Sequence, residues 1–183
     1  VAGIHEHAKQ AARGPQPLRK AGAYKFRSLN AEQRATIAEL TEAIIPATET
    51  PGAKAARVDA FIDIILTEWS TDVEKAEFMS GLAAFNERAR LEFGRPFPRC
   101  SAAERTQLLT ALDAELTAAR TARQAWRRAS GAPQPPDHRK LFFHQVRSLT
   151  VSGYYSSEPG YTKERKAAII PGIYKPCMPV AEL

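Results

Sequence analysis

The sequence predicts an all-α fold: a small helical bundle with an extended N-terminal arm and a Tyr/Pro-rich irregular C-terminal tail. Three observations carry this. Apolar residues recur at helical spacing in five separate segments, as they do on one face of an amphipathic helix. Three of those segments open on a residue pair suited to a reciprocal N-terminal cap: Asn30 with Gln33, Thr71 with Glu74, and Ser101 with Glu104. No segment alternates at period two, and no Asn-Gly or Asp-Gly hairpin dipeptide occurs. At 183 residues, 44% hydrophobic and 25% charged, the chain is long and apolar enough for one domain with a real core.

The elements follow in order. Residues 1–27 lack periodicity and contain Gly14-Pro15 and Pro17, the marks of an extended arm. The domain proper is expected over 28–152. Its first helix starts behind Asn30, carries Ile37, Leu40, Thr41, Ile44 and Ile45, and stops at Pro46. A loop with Pro46, Pro51 and Gly52 leads to a second helix with Val58, Phe61, Ile62, Ile65, Leu66 and Trp69 as one apolar stripe. The third opens at Thr71, carries Phe78, Met79, Leu82, Phe85 and Ala89, and ends at Gly94, a residue free to take the left-handed cap conformation. The fourth opens at Ser101, runs through Leu108, Leu109, Leu112 and Leu116, and turns Ala- and Arg-rich up to Arg128 before Gly131, Pro133, Pro135 and Pro136. The fifth is expected from near Asp137, with Leu141, Phe142, Val146 and Leu149 on one face.

From 153 to 183 the character changes to an irregular tail. Four of the five tyrosines fall there, Tyr154, Tyr155, Tyr161 and Tyr174, among Pro159, Gly160, Pro171, Gly172, Pro176 and Pro179. Such a segment has little helical capacity, and its backbone polar groups need partners from elsewhere. Tyrosine pairs a large ring with a hydroxyl that tolerates partial burial, which suits an interface. The tail therefore reads either as a docking segment or as a strap on its own domain.

The net charge of +6 is segregated along the chain. Residues 1–27 carry a net +5, residues 28–119 a net −6, and residues 120–147 a net +6. Segregation of this kind suits docking onto a partner of matching sign. No apolar run approaches the roughly 20 residues that span a bilayer. The chain begins at Val1 without Met, so a leader is expected to have been removed or the chain trimmed.

Catalytic motifs are sparse. There is no dinucleotide-binding or Walker glycine loop, no GxSxG and no HExxH. His5 and His7 lie in the arm, and His138 and His144 have no Cys or carboxylate at metal-ligand spacing. Asp59 and Asp63 stand one helical turn apart, away from the apolar stripe, and read as a solvated face. The run from Arg120 to Arg128 has Trp126 as its one nearby aromatic and no reading-helix context. Cys177, in the Pro-bounded segment Tyr174-Lys175-Pro176-Cys177-Met178-Pro179, could pair in an oxidising compartment. Its partner would be Cys100, the only other cysteine in the chain, or a cysteine of another chain.

Several segments are familiar when taken in order. They are Ile44-Ile45-Pro46-Ala47-Thr48 with Thr50-Pro51-Gly52-Ala53, Phe61-Ile62-Asp63, and Phe93-Gly94 with Pro96-Phe97. Then come Phe142-Phe143 through Leu149-Thr150, Gly153-Tyr154-Tyr155, Ser157-Glu158-Pro159-Gly160, and Pro171-Gly172-Ile173-Tyr174 with Cys177. The ordered set, over about residues 28–180, resembles the gluconate 2-dehydrogenase subunit 3 family. The resemblance implies a non-catalytic small subunit with no cofactor of its own. It would accompany a large glucose–methanol–choline (GMC) type flavoprotein that carries FAD and oxidises a sugar, polyol or sugar acid. A cytochrome c subunit with haem c would receive the electrons.

The resemblance also implies twin-arginine export and a bacterial periplasmic location, with association to the inner membrane through the complex and no span of its own. The expected docking residues are Tyr154, Tyr155, Ser157, Glu158, Pro159, Gly160, Pro171, Gly172 and Tyr174. Replacing Tyr154 or Tyr174 by Ala is then expected to weaken assembly and leave the helical fold intact. Two other classes compete: a stand-alone helical enzyme using His144 with a carboxylate, and a helical nucleic-acid binder using the arm and the Arg120–Arg128 run.

Overall fold

Local capping decides where most of the helices begin. In a computed structural model, which describes residues 24–129 and 133–167, helix α1 spans Ala31–Ile44, α3 Asp72–Phe93 and α4 Ala102–Arg128. At each of their N-termini the capping side chain accepts from the backbone N–H three residues on, and the Gln or Glu there answers the cap's own N–H. Two otherwise orphaned donors are satisfied at each start. Gly94 ends α3 at φ 70°, the left-handed conformation that a residue without Cβ adopts at little cost. Helix α2, Val58–Ile64, continues as a π-helical turn, Ile65–Trp69. Helix α5 spans Phe142–Tyr155, and a second π-helical turn covers Gly160–Glu164. Among the described residues there is no strand.

Helix α5 packs against each of the other four helices. Its Phe143, Val146 and Tyr154 meet a core drawn from Ile37 and Leu40 of α1, Val58, Ile62 and Leu66 of α2, Phe78, Leu82 and Phe85 of α3, and Leu108 and Leu116 of α4. Phe97, in a short 3-10 turn, is fully buried, tilted against Phe85 with ring centroids 4.8 Å apart. Its backbone N–H donates to Asn86 Oδ1 at 3.0 Å. Beyond Leu116 no residue of α4 is buried, so its last turns stand clear of the core.

Three expectations are corrected here. Asp137 does not open α5; its carboxylate accepts from the backbone N–H of Arg139 and caps a 3-10 turn, His138–Lys140, and the α-helix starts only at Phe142. The boundary at 153 also moves. The helix runs on through Tyr155, and residues 160–164 are helical too, so regular structure continues past the point where the Tyr/Pro content suggests a tail. Trp69 leaves the stripe it was assigned to and is 77% exposed. The π turn is the cause: its wider winding advances each residue by less than the α-helical angle, and the last residue of the segment swings off the buried face. The arm up to residue 23 and the chain from 168 onward lie outside the described residues.

Candidate functional site

Two clusters of polar chemistry stand out, one closed and one open. The closed cluster is built around Asp63. It sits in the run Phe61-Ile62-Asp63-Ile64-Ile65-Leu66 on α2 and is fully buried, while Asp59 one turn earlier is 5% exposed. The solvated-face reading of this pair is therefore wrong. The chain from Tyr24 to Leu29 crosses α2 at this point. Its backbone N–H groups donate to the Asp63 carboxylate: Arg27 to Oδ2 at 2.9 Å, Ser28 to Oδ1 at 2.9 Å and Leu29 to Oδ1 at 2.8 Å.

The Tyr24 hydroxyl adds a fourth donor, to Oδ2 at 2.7 Å. Burial alone would raise this carboxyl's pKa, but the hydrogen bonds to the ionised form outweigh it and hold the group below the ordinary carboxylate range. Arg27 also pairs with Glu68, and Arg34 reaches Asp59 at 3.1 Å. A carboxylate with this many bonds inside its own chain is spoken for; it fastens residues 24–29 to α2.

A second closed corner holds the expected docking residues. Tyr154 is 1% exposed, and its hydroxyl donates to the Pro51 carbonyl at 2.8 Å. It is a core residue bridging α5 to the loop after α1, and the expectation that its truncation spares the fold does not stand. Ser157 Oγ donates to the Tyr154 carbonyl at 2.6 Å and accepts from the Gly160 N–H at 3.2 Å. Gly160 is buried, and a Cβ there would lie 2.0 Å from the Tyr154 carbonyl oxygen, so only glycine fits. Pro159 is half-buried.

Tyr155 and Glu158 do face solvent, Tyr155 edge-on to Tyr154 at 5.3 Å. Pro171, Gly172, Tyr174 and Cys177 lie outside the described residues. Cys100 is buried with its thiol 3.7 Å from the Pro96 carbonyl, and burial, reinforced by Glu104, pushes that thiol's pKa up.

The open cluster lies at the other side of α5. Arg120 Nη2 is 3.4 Å from His144 Nδ1, and the His144 and His138 rings meet edge to face at 5.6 Å. Burial, then Arg120, His138 and Arg147, lower the His144 pKa. Cations dominate the surroundings of the imidazole, and Asp137, beside His138, opposes them only weakly. Arg123 donates to the Pro135 carbonyl at 3.4 Å and stacks over Trp126. Among the described residues, Arg120, Arg123, Arg127 and Arg128 make no salt bridge to a carboxylate. Beside His144 opens a groove of about 410 Å³ whose floor is Leu66 and Phe78 and whose wall includes Trp69.

No group of three His, Cys, Asp or Glu placed to hold a metal occurs among the described residues, and none of their helices is long and apolar enough to cross a membrane. What the surface offers is contact chemistry: an exposed tryptophan, an apolar groove and a run of arginines. The family described as gluconate 2-dehydrogenase subunit 3 matches residues 31–172 of the chain. The chain belongs to that family. No curated protein and no solved structure matches it. The matched span takes in α1 to α5, Asp63 and the Tyr154 corner, but begins after the 24–29 segment that Asp63 holds. Membership in a subunit family implies a partner within a dehydrogenase complex.

Proposed function

We propose that this chain is the non-catalytic small subunit of a periplasmic, FAD-dependent dehydrogenase of the GMC type that acts on a sugar, polyol or sugar acid. In this reading it stabilises the large catalytic subunit and escorts it through twin-arginine export, and a cytochrome c subunit takes the electrons. The family match over residues 31–172 carries the proposal. In this reading FAD belongs to the partner, and no chemical step is routed through this chain. The surroundings of His144 also favour an accessory role over a stand-alone helical enzyme.

The test is isolation of the tagged chain from its native cells with visible spectra and dehydrogenase assays on the eluate. A co-eluting large polypeptide with flavin absorbance and alcohol-oxidising activity is expected. Deleting this chain is expected to lower the amount of large subunit outside the inner membrane. Turnover by the isolated chain, lost in His144→Ala, would overturn the proposal, as would a colourless and solitary protein. Non-reducing gels of the same eluate report whether Cys177 joins the chain covalently to its partner.

A further inference from the structure

The face at Trp69 combines features that the fold itself leaves unexplained. Trp69 is 77% exposed at the end of the π turn, and Val73, four residues on, is 69% exposed. Water pays to hydrate that apolar area in the free chain, and large exposed aromatics beside a groove are the residues that dominate binding at interfaces. The adjoining groove, about 410 Å³, has an apolar floor and a polar rim that includes Arg139 and His144. At the His144 edge begins a row of cations. Arg120 touches His144, and Arg123 and Arg127 follow at i+3 and i+7, on the same face of α4. The row extends over roughly 10 Å at the helical rise of 1.5 Å per residue.

Many arginines elsewhere on the domain are treated differently, although Arg95, Arg99 and Arg165 also make no close ion pair among the described residues. Arg34, Arg57, Arg88, Arg90 and Arg105 each pair with a carboxylate of this chain. The three arginines of the row make no close ion pair among the described residues, though Asp137 acts on Arg123 at longer range, and α4 carries them past the last buried residue of that helix.

We infer that this face is the seat of the large subunit, which inserts an apolar side chain into the groove beside Trp69 and sets acidic side chains against Arg120, Arg123 and Arg127. The inference rests on the proposed accessory role and goes beyond it by assigning the docking surface and the chemistry of its occupant. The apolar groove contiguous with the row selects a folded acidic protein surface over a nucleic acid, whose backbone offers only phosphate to such a row.

The experiment is affinity isolation of the complex from native cells through tagged wild-type chain and three variants: Trp69→Ala, Arg127→Glu and Leu91→Ala. Leu91 is 79% exposed near the far end of α3, roughly 25 Å along that helix from the groove-lining Glu74, and serves as the control. Flavin absorbance per tagged chain is the readout, with circular dichroism to confirm the helical content of each. Trp69→Ala and Arg127→Glu are expected to retain on the order of a tenth of the flavin or less, as hot-spot losses do, and Leu91→Ala all of it.

Raising the salt during the wash is expected to strip the wild-type complex more readily than the Arg127→Glu remnant, because a steering charge has been lost. If Trp69→Ala folds poorly, Arg127→Glu alone decides. Equal flavin in all four samples overturns this face as the seat and leaves the accessory role standing. No flavoprotein with wild type overturns both. Nucleic acid in the eluate, lost in Arg127→Glu, overturns the acidic protein occupant.

Discussion

The Asp63 anchor and the arginine end of α4 place charge in opposite ways. At the anchor one buried carboxylate receives three backbone N–H groups and a phenol, all from residues 24–29. At the end of α4 three cations lie along one face with no close ion pair among the described residues, Asp137 acting on Arg123 only at longer range. The first arrangement is complete as it stands and costs free energy to disturb, since the Leu29 N–H would be left buried and unmet and the part-buried donors of Tyr24, Arg27 and Ser28 would lose their acceptor. The second is less complete, and its exposed member, Arg127, loses little when altered. Saturation marks what holds the fold, and surplus marks what is offered outward. The two regions therefore predict opposite responses to substitution.

The largest expected effect is at the closed side. Tyr154→Ala removes a ring that is 1% exposed and should cost about 3–5 kcal/mol in urea unfolding, the range for truncating a buried aromatic. Tyr154→Phe keeps the ring and loses only the bond to the Pro51 carbonyl, about 1 kcal/mol. An alanine variant of wild-type stability that fails only in assembly would return Tyr154 to the interface. Next comes Asp63→Asn. The amide keeps one accepting oxygen and turns its other end into a donor that faces the donors of the 24–29 segment, so about 2–3 kcal/mol should be lost. Trypsin offers a local reading of the same variant, since freed backbone should be cut faster at Lys25 and Arg27 while the helical circular dichroism persists.

How much of this was legible depends on the range of the interaction. The caps at Asn30, Thr71 and Ser101 were readable because both partners lie three residues apart, and Gly94 because a left-handed turn needs what glycine alone supplies cheaply. Asp63 was not, because its partners are backbone N–H groups 34 to 36 residues away, and a peptide N–H has no residue signature. Its lone position amid Phe61, Ile62, Ile64, Ile65 and Leu66 was the available signal. Tyr154 and Trp69 were exchanged. Composition placed Tyr154 in an irregular tail although the apolar period of α5 carries it inward, and the regular period placed Trp69 in the core although a π turn breaks that period. The cation row was legible as charge, but its seat beside an apolar groove required α4, α5 and the π turn to be brought together.

Acid separates the two regions by sign. The Asp63 carboxyl is held below its ordinary value in the folded chain, so its contribution is fully present above the unfolded value near ~4. It is lost as the pH falls through the lower folded value, where protonation removes an acceptor from the 24–29 segment. Urea midpoints should therefore drop on acidification below about pH 4, and Asp63→Asn should flatten part of that drop. His144 adds a gentler slope at higher pH. Its depressed folded value makes stability decline as the pH falls below the unfolded histidine value, about 6.5, because burial and Arg120 disfavour the imidazolium. If Asp63→Asn retains the full acid dependence, the anchor is not where the charge matters.

The smallest effect is the one that defines the open region. Arg127→Glu reverses a charge on the last turn of α4 and should change stability by no more than about 0.5 kcal/mol. Two terms oppose each other there. Glutamate relieves repulsion along the row from Arg120 and Arg123, a screened interaction between groups with no close ion pair among the described residues. It also sets an anion at a helix C-terminus, where the aligned peptide dipoles favour cations by a few tenths of a kcal/mol. Neither term breaks a contact, so a swing of two charges nearly cancels. A loss above about 1 kcal/mol in thermal or urea unfolding would mean that Arg127 is bound within its own fold. The row would then belong with Asp63 among the groups that hold the molecule together, and its surplus charge would no longer point to a partner.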